Sequence, residues 1–539
     1  MKYIDFDKTA SYSKLEALAK KAGAIEPRAY LSKERIQKCS IPMCALNEEA
    51  LIYNCAGKLI SDECLALLQD LSNEQELIQK YKALIDGEII NTGESRMVLH
   101  HLMRSPDAKT LNGKQLDYNG RDLGKFYLNE LERVYVFAEK VRSGEIKTAG
   151  GKSFSAFCQI GIGGSDLGPR ALSIALENYA ITEGEKTFRA EFISNVDPDD
   201  LSKVVSTLPL DETLFILVSK SGTTQETLTN ELFVKDKLKS AGLDPSKHML
   251  AVTSETSPLA NNPGYLDSFY FDDFIGGRYS SSSPVGGVIL SLAYGSKIFK
   301  EFLMGAHSAD KAALESDVKK NAALLDALIG IWERNFLSYP STAILPYSQG
   351  LSRFPAHLQQ LDMESNGKSV NRDGKAISYS TGPVIFGESG TNGQHSFYQL
   401  LHQGSDIIPL QFIGFKKSQR KDDRTIDGSE SQAKLNANLA AQITAFACGK
   451  SDANANKNFT GGRPNSLIYG QRLTPFNLGV LLAHYENKVM FQGFIWNLNS
   501  FDQEGVQLGK ALAGKILKKN ESGSSGDLVL DSYGELLGI

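Results

Sequence analysis

Four short apolar runs, each followed by a turn and a helical stretch, constrain this chain more than any other feature. They are FSAFCQI (154–160), FRAEFI (188–193), TLFILVS (213–219) and HMLAVTS (248–254), rich in β-branched and aromatic residues. Such runs suit strands buried on both faces, and their alternation with helical segments predicts a parallel sheet with helices on either side. A helix-rich interval, GAHSADKAALESDVKKNAALLDALIGIWERNFL, separates this unit from a second set of predicted strands at 341–346, 407–415 and 466–469. The expected fold class is therefore α/β, with two doubly wound parallel-sheet domains.

The flanks read differently. From about 12 to 145 the sequence predicts helix, as in SYSKLEALAKKAG and in LGKFYLNELERVYVFAEKVRSG, where apolar residues recur at three and four and Gly144 stops the pattern. Thr474-Pro475 predicts the start of a long helix toward Asn499, with Thr as N-cap and Pro in the first turn. After a Gly/Ser break, the end of the chain reads as a C-terminal arm. The expected division is a helical segment at 1–125, a first sheet domain at 126–290, a second at 291–512 and the arm at 513–539.

With 539 residues the chain is long enough for two or more cores. Its formal charge of −5 leaves no basic footprint for nucleic acid, so any anion site must be local. The start, MKYIDFDKTASYSK, lacks the apolar core of a secretory signal, and no stretch reaches membrane-span length. A cytoplasmic protein with neither membrane nor nucleic-acid partners is expected. The six cysteines form no C-x-x-C pair and read as reduced thiols; the histidines form no zinc motif.

QIGIGGSDLG (159–168) is a glycine-rich turn after the first apolar run. Asp166 occupies the place of the third glycine of a dinucleotide fingerprint. Walker A fails too, because AGGKSF and NGKSV lack the glycine required five positions before the second one. A strand ending in small residues before a helix remains a generic phosphate cradle, to which Gly164 and the Ser165 hydroxyl contribute. The competing reading is that the glycines only permit tight packing. A second turn, in LVSKSGTTQETLTNELF, gathers Ser219, Lys220, Ser221, Thr223 and Thr224 between a buried run and a helix. Capping explains one or two of these residues, but not all. Two donor-rich turns at one sheet edge predict a phosphate monoester as ligand.

SKSGTTQE resembles the signature of sugar isomerase (SIS) domains, which bind phosphosugars. DFIGGRYSSSSPVG (273–286), QQLDMESNGKSV (359–370), GTNGQHSFYQLLHQG (390–404), FDQEGVQLGK (501–510) and INTGESRMVLHHLMR (90–104) resemble, in order, segments of the glucose-6-phosphate isomerase family. The resemblance implies two SIS-type domains and aldose–ketose isomerisation of a sugar phosphate through ring opening and a cis-enediol(ate). It implies Glu364 as the proton-shuttling base and Arg278 as the cation for the developing oxyanion. His395 would open the ring from the neighbouring subunit of a homodimer, with help from Lys510. Gln360 and Gln503 would contact sugar and phosphate, and Gly164, Ser165, Ser219, Lys220, Ser221 and Thr224 would hold the phosphate. Since the phosphate is not transferred, the resemblance implies neither metal nor cofactor.

On the residues alone, Glu364 is an ordinary helix-end glutamate, Arg278 pairs with Asp272 or Asp273 across its turn, and Lys510 is solvated. His395 reads as the first residue of a helix, whose positive end would favour a neutral ring. The chain departs from the family at Glu504 and Gln507, which stand for Trp and Glu near Lys510, at Gly222, where an aromatic is frequent, and at NVDPDD (195–200). A wider phosphosugar isomerase accepting mannose 6-phosphate and a phosphosugar-binding regulator are the neighbouring functions. A nicotinamide oxidoreductase is disfavoured by Asp166.

Overall fold

The apolar runs become the middle of a five-stranded parallel sheet whose order across is Arg189–Ile193, Ala156–Ile160, Thr213–Val218, Met249–Thr253, Ser268–Tyr270. Every residue of Ala156–Ile160, Thr213–Val218 and Met249–Thr253 is buried, as expected for strands covered on both faces. On one face Ile160, Phe215, Leu217 and Met249 pack with Val234 and Leu238 of the helix Gln225–Ser240. The computed structural model describes residues 1–21, 30–45 and 50–539, and the last two residues of SYSKLEALAKKAG lie outside them.

A second sheet has the order Ser40–Pro42, Ile52–Asn54, Asn465–Gly470, Leu410–Phe415, Ser341–Tyr347, Val384–Phe386. Its last four strands run parallel, and the first two attach antiparallel at the Asn465–Gly470 edge. Those two N-terminal strands, and Val384–Phe386, correct the sequence reading, which placed only helix before 145 and no strand near 384. Each is three residues long with one buried side chain, too short to show a period.

The predicted helices form with the expected signals. Leu123–Ser143 ends at Gly144. Pro475–Ile495 starts at Thr474, whose hydroxyl accepts the Asn477 N–H, and is buried along nearly its whole length. The chain divides into two compact units, Met1–Ser500, which holds both sheets, and Phe501–Ile539, built on the helices Gln507–Ser522 and Leu528–Leu537. Among the described residues no helix is long and apolar enough to cross a membrane.

Candidate active site

In the first sheet the chain leaves Ala156–Ile160 toward one edge and Thr213–Val218 toward the other, so the strand order reverses between these neighbours. Ligands of open α/β sheets bind in the crevice at the carboxyl ends of such a pair, and both donor-rich turns lie there. The first turn is a 3-10 turn, Gly163–Ser165, followed by the helix Leu167–Thr182. The buried Gln159 amide donates to the Ser165 carbonyl at 2.7 Å and pins the turn to its own strand. Asp166 is buried and pairs with Arg170 at 2.8 Å, so the residue that breaks the dinucleotide fingerprint has a structural partner.

Gly164 has no room for a side chain. A Cβ there would lie 2.1 Å from the Gly277 carbonyl carbon and 2.7 Å from the Arg278 nitrogen. The absence of a Cβ thus lets the phosphate-type turn touch the backbone of the arginine segment. In the second turn the Ser219 hydroxyl accepts the Gly222 N–H at 3.2 Å and lies 3.3 Å from the Thr224 hydroxyl. Thr224 is the N-cap of Gln225–Ser240, but its side chain makes no capping bond, so capping does not account for its hydroxyl. Ser221 is exposed and accepts from Thr223. Lys220 donates to the Ile275 carbonyl at 3.0 Å, tying this turn to the same arginine segment. Gly222, a departure from the family pattern, has φ +66, and a Cβ there would lie 2.3 Å from the Ser257 hydroxyl. An aromatic would be strained as well as crowded in this conformation.

Arg278 is buried and held from two sides: Nε donates to the Ser365 hydroxyl and Nη2 to the Ser500 carbonyl, both at 2.7 Å. Its Nη1 lies 3.7 Å from Glu364 Oε2. The turn pairing with Asp272 or Asp273 is not the arrangement found. Tyr127 donates to Asp272, while Asp273 meets Arg96 at 3.3 Å and Lys220 at 3.8 Å. Glu364 closes a π-helical turn, Gln360–Glu364, that interrupts the helix begun at Phe354. One extra residue per turn re-aims the side chains that follow, and such insertions are frequent at functional sites.

Two carboxyls of this turn have unlike surroundings. Burial pushes Asp362 up to about 7, whereas the Glu364 side chain keeps 22% of its exposure beside the guanidinium. Behind them the Tyr279 hydroxyl lies 3.1 Å from that of Ser365, and the Tyr279 ring stacks on His100 at 4.7 Å. Burial drives the His100 imidazole far below its ordinary value, so it packs as a neutral ring. Sequence reasoning missed Ser365, Tyr279 and the Ser500 carbonyl. Only Ser365 carried a signal, its place next to Glu364.

The structure thus brings Gly164, Ser165, Lys220, Arg278 and Glu364 into one continuous region. Gln360 joins it, its amide nitrogen lying 3.1 Å from where a Gly163 Cβ would be. His395 follows the short helix Gly390–Gln394 as its C-cap and is exposed. This corrects the expectation of a helix start after a turn SGTNG: Gly390–Gly393 of that turn themselves wrap into the helix Gly390–Gln394, so its positive end lies at Ser389. Gln503 and Lys510 belong to the C-terminal unit, Lys510 on Gln507–Ser522, and Lys510, Glu504 and Gln507 are exposed. Among the described residues no group of three or more His, Cys, Asp or Glu side chains could hold a metal ion.

Comparison with known proteins covers nearly the whole chain. A family model described as phosphoglucose isomerase matches residues 55–532. A glucose-6-phosphate isomerase of Treponema denticola is 60% identical over 525 residues, spanning 96% of this chain and 98% of the relative. One from Borreliella burgdorferi is 47% identical, spanning 99% and 98%. A crystal structure of a glucose-6-phosphate isomerase from Chlamydia trachomatis superimposes with a TM-score of 0.90 at 42% identity, covering 99% of each chain.

Proposed function

This chain belongs to the phosphoglucose isomerase family and interconverts glucose 6-phosphate and fructose 6-phosphate, and on that premise we propose which of its groups carry the reaction. The phosphate sits on the two turns of the first sheet, held by Gly164, Ser165, Ser219, Lys220, Ser221 and Thr224, with Gln360 and Gln503 contacting sugar and phosphate. His395, supplied by the neighbouring subunit of a homodimer, and Lys510 open the ring. Glu364 removes the C2 proton of the open aldose and returns it to C1, and the reverse path uses the same carboxylate. As the proton leaves, negative charge grows on the enediolate oxygens, and Arg278 faces it without itself exchanging a proton.

The observation that carries this reading is the Arg278–Glu364 separation of 3.7 Å, with the arginine buried and tethered through Ser365 and Ser500. A carboxylate beside a fixed guanidinium can alternate between base and acid while the cation follows the charge on the substrate. On the same footing we propose a cytoplasmic location in glycolysis and gluconeogenesis, and the division at 126–290 and 291–512, each range enclosing the parallel strands of one sheet.

The test is conversion of fructose 6-phosphate, followed with a coupled dehydrogenase, for wild type and Glu364→Gln. The variant is expected to lose at least about a hundredfold in kcat while still binding a non-isomerisable sugar phosphate. Retained turnover would move the base elsewhere. Wild type that binds the sugar phosphate without converting it would favour the regulator.

A further inference from the structure

The fold places two cysteines face to face that the sequence leaves sixteen residues apart. Ser40–Pro42 and Ile52–Asn54 pair in the register Ser40↔Asn54, Ile41↔Tyr53, Pro42↔Ile52. One step outward along that register Cys39 meets Cys55, and the ladder continues, with the Cys55 N–H donating to the Cys39 carbonyl at 3.1 Å. Residues opposite each other in an antiparallel pair point to the same face. At a hydrogen-bonded position their Cα atoms lie about 5.5 Å apart, inside the range of about 4.4 to 6.8 Å that a disulfide spans.

We propose that Cys39 and Cys55 form a reversible disulfide site whose oxidant is a hydroperoxide. The two thiols differ in the way such a pair needs. Cys39 is partly exposed and Cys55 is buried, both as free thiols. Arg35 and Lys38 stand on the short helix Lys33–Lys38 that Cys39 terminates, and Arg35 is fixed beside Cys55 by donating to the Ala56 and Ile60 carbonyls at 3.0 and 3.1 Å. The Cys55 thiol, aided by these cations, lowers Cys39 below the ordinary thiol value, while its interaction with Cys39 and burial raise Cys55. Cys39 is thus the attacking sulfur and Cys55 the resolving one.

The Cys39 thiolate attacks the distal peroxide oxygen: an S–O bond forms, the O–O bond breaks, and the alkoxide or hydroxide leaves with a proton from water. Cys55 then attacks the sulfenyl sulfur, forming the S–S bond and releasing the sulfenic oxygen with the Cys55 proton as water. Two electrons pass from the thiols to the peroxide, and an added dithiol returns them. A disulfide that appears only under oxidant suits a chain with so few cysteines.

The experiment treats the intact protein with hydrogen peroxide, blocks residual thiols and maps peptides by mass, for wild type, Cys39→Ser and Cys55→Ser. A linked Cys39–Cys55 peptide, reversed by dithiothreitol, is expected in wild type alone. In Cys55→Ser a sulfenic-acid trap should label Cys39 several-fold more than in wild type. Thermal melting of each variant shows that it is folded, and the wild-type result stands without them. Cys39 passing to sulfinic acid in wild type while Cys55 stays free would overturn the proposal, as would no reaction at either thiol.

Discussion

The parallel parts of the two sheets share a strand order, and on the proposed reading they carry different parts of the site. In each, the first of the parallel strands in sequence lies between the second and the third, so each has a switch point: between Ala156–Ile160 and Thr213–Val218 in one, and between Ser341–Tyr347 and Leu410–Phe415 in the other. At the first, donors crowd two contiguous turns. Beyond the strand Ser341–Tyr347 of the second sheet the chain enters the helix that ends in the π turn with Glu364. The difference follows from the chemistry. Holding a phosphate takes many modest donors whose placement tolerates small errors, and one local turn can supply them. Moving a proton takes one carboxylate set against one cation, and both must be fixed from outside their own segments.

The glycine turn meets the Arg278 segment at the Gly164–Gly277 contact, and breaking it should produce the largest effect. Gly164→Ala puts a methyl 2.1 Å from a backbone carbon that no rotamer can move aside. The turn and the Arg278 segment must part, and a displacement near 1 Å at a reacting centre can cost about a hundredfold in rate. The expected outcome is a loss of at least that size in kcat/KM, with a lowered melting temperature. Full activity in a stable variant would mean that cradle and arginine need not touch.

Arg278→Lys should come next. Lysine keeps the charge but cannot reach Ser365, the Ser500 carbonyl and Glu364 with one fork. We expect kcat to fall roughly 10- to 100-fold with KM nearly unchanged, since the lost contact matters when charge develops. A rise in KM alone would make Arg278 a ground-state binding residue.

The same contrast explains what the sequence discloses. The buried strands are legible because both faces are covered, which leaves apolar runs that need no periodicity, and the helix after Thr474 is legible because its cap is local. The cradle is legible for a similar reason: Ser219 to Thr224 are neighbours in the chain before they are neighbours in space. Glu364 is not, because a π turn is one residue inserted in a helical pattern, and nothing in MESNGK states that Arg278, eighty-six positions earlier, lies 3.7 Å away. Only family resemblance singled it out. His395 is singled out by resemblance too, while the local argument about its helix fails because the turn SGTNG wraps into a short helix of its own. Cys39 and Cys55 are invisible for a third reason, since strands of three residues leave no trace of a register.

The smallest effect is expected inside the cradle, and it separates a shared task from a single one. Ser221 is exposed, and its oxygen accepts from Thr223 rather than supporting the buried scaffold, which rests on Ser219 and Lys220. Ser221→Ala should therefore leave the melting temperature unchanged. One neutral hydrogen bond among several is worth about 0.5–1.5 kcal/mol, so KM should rise only about two- to tenfold, with kcat intact. The control is Ser219→Ala, which removes the acceptor for the Gly222 N–H and should lower stability as well. If Ser221→Ala instead reduced kcat as far as Arg278→Lys does, the phosphate turn would be acting on the transition state, and the division between a holding turn and a reacting pair would fail.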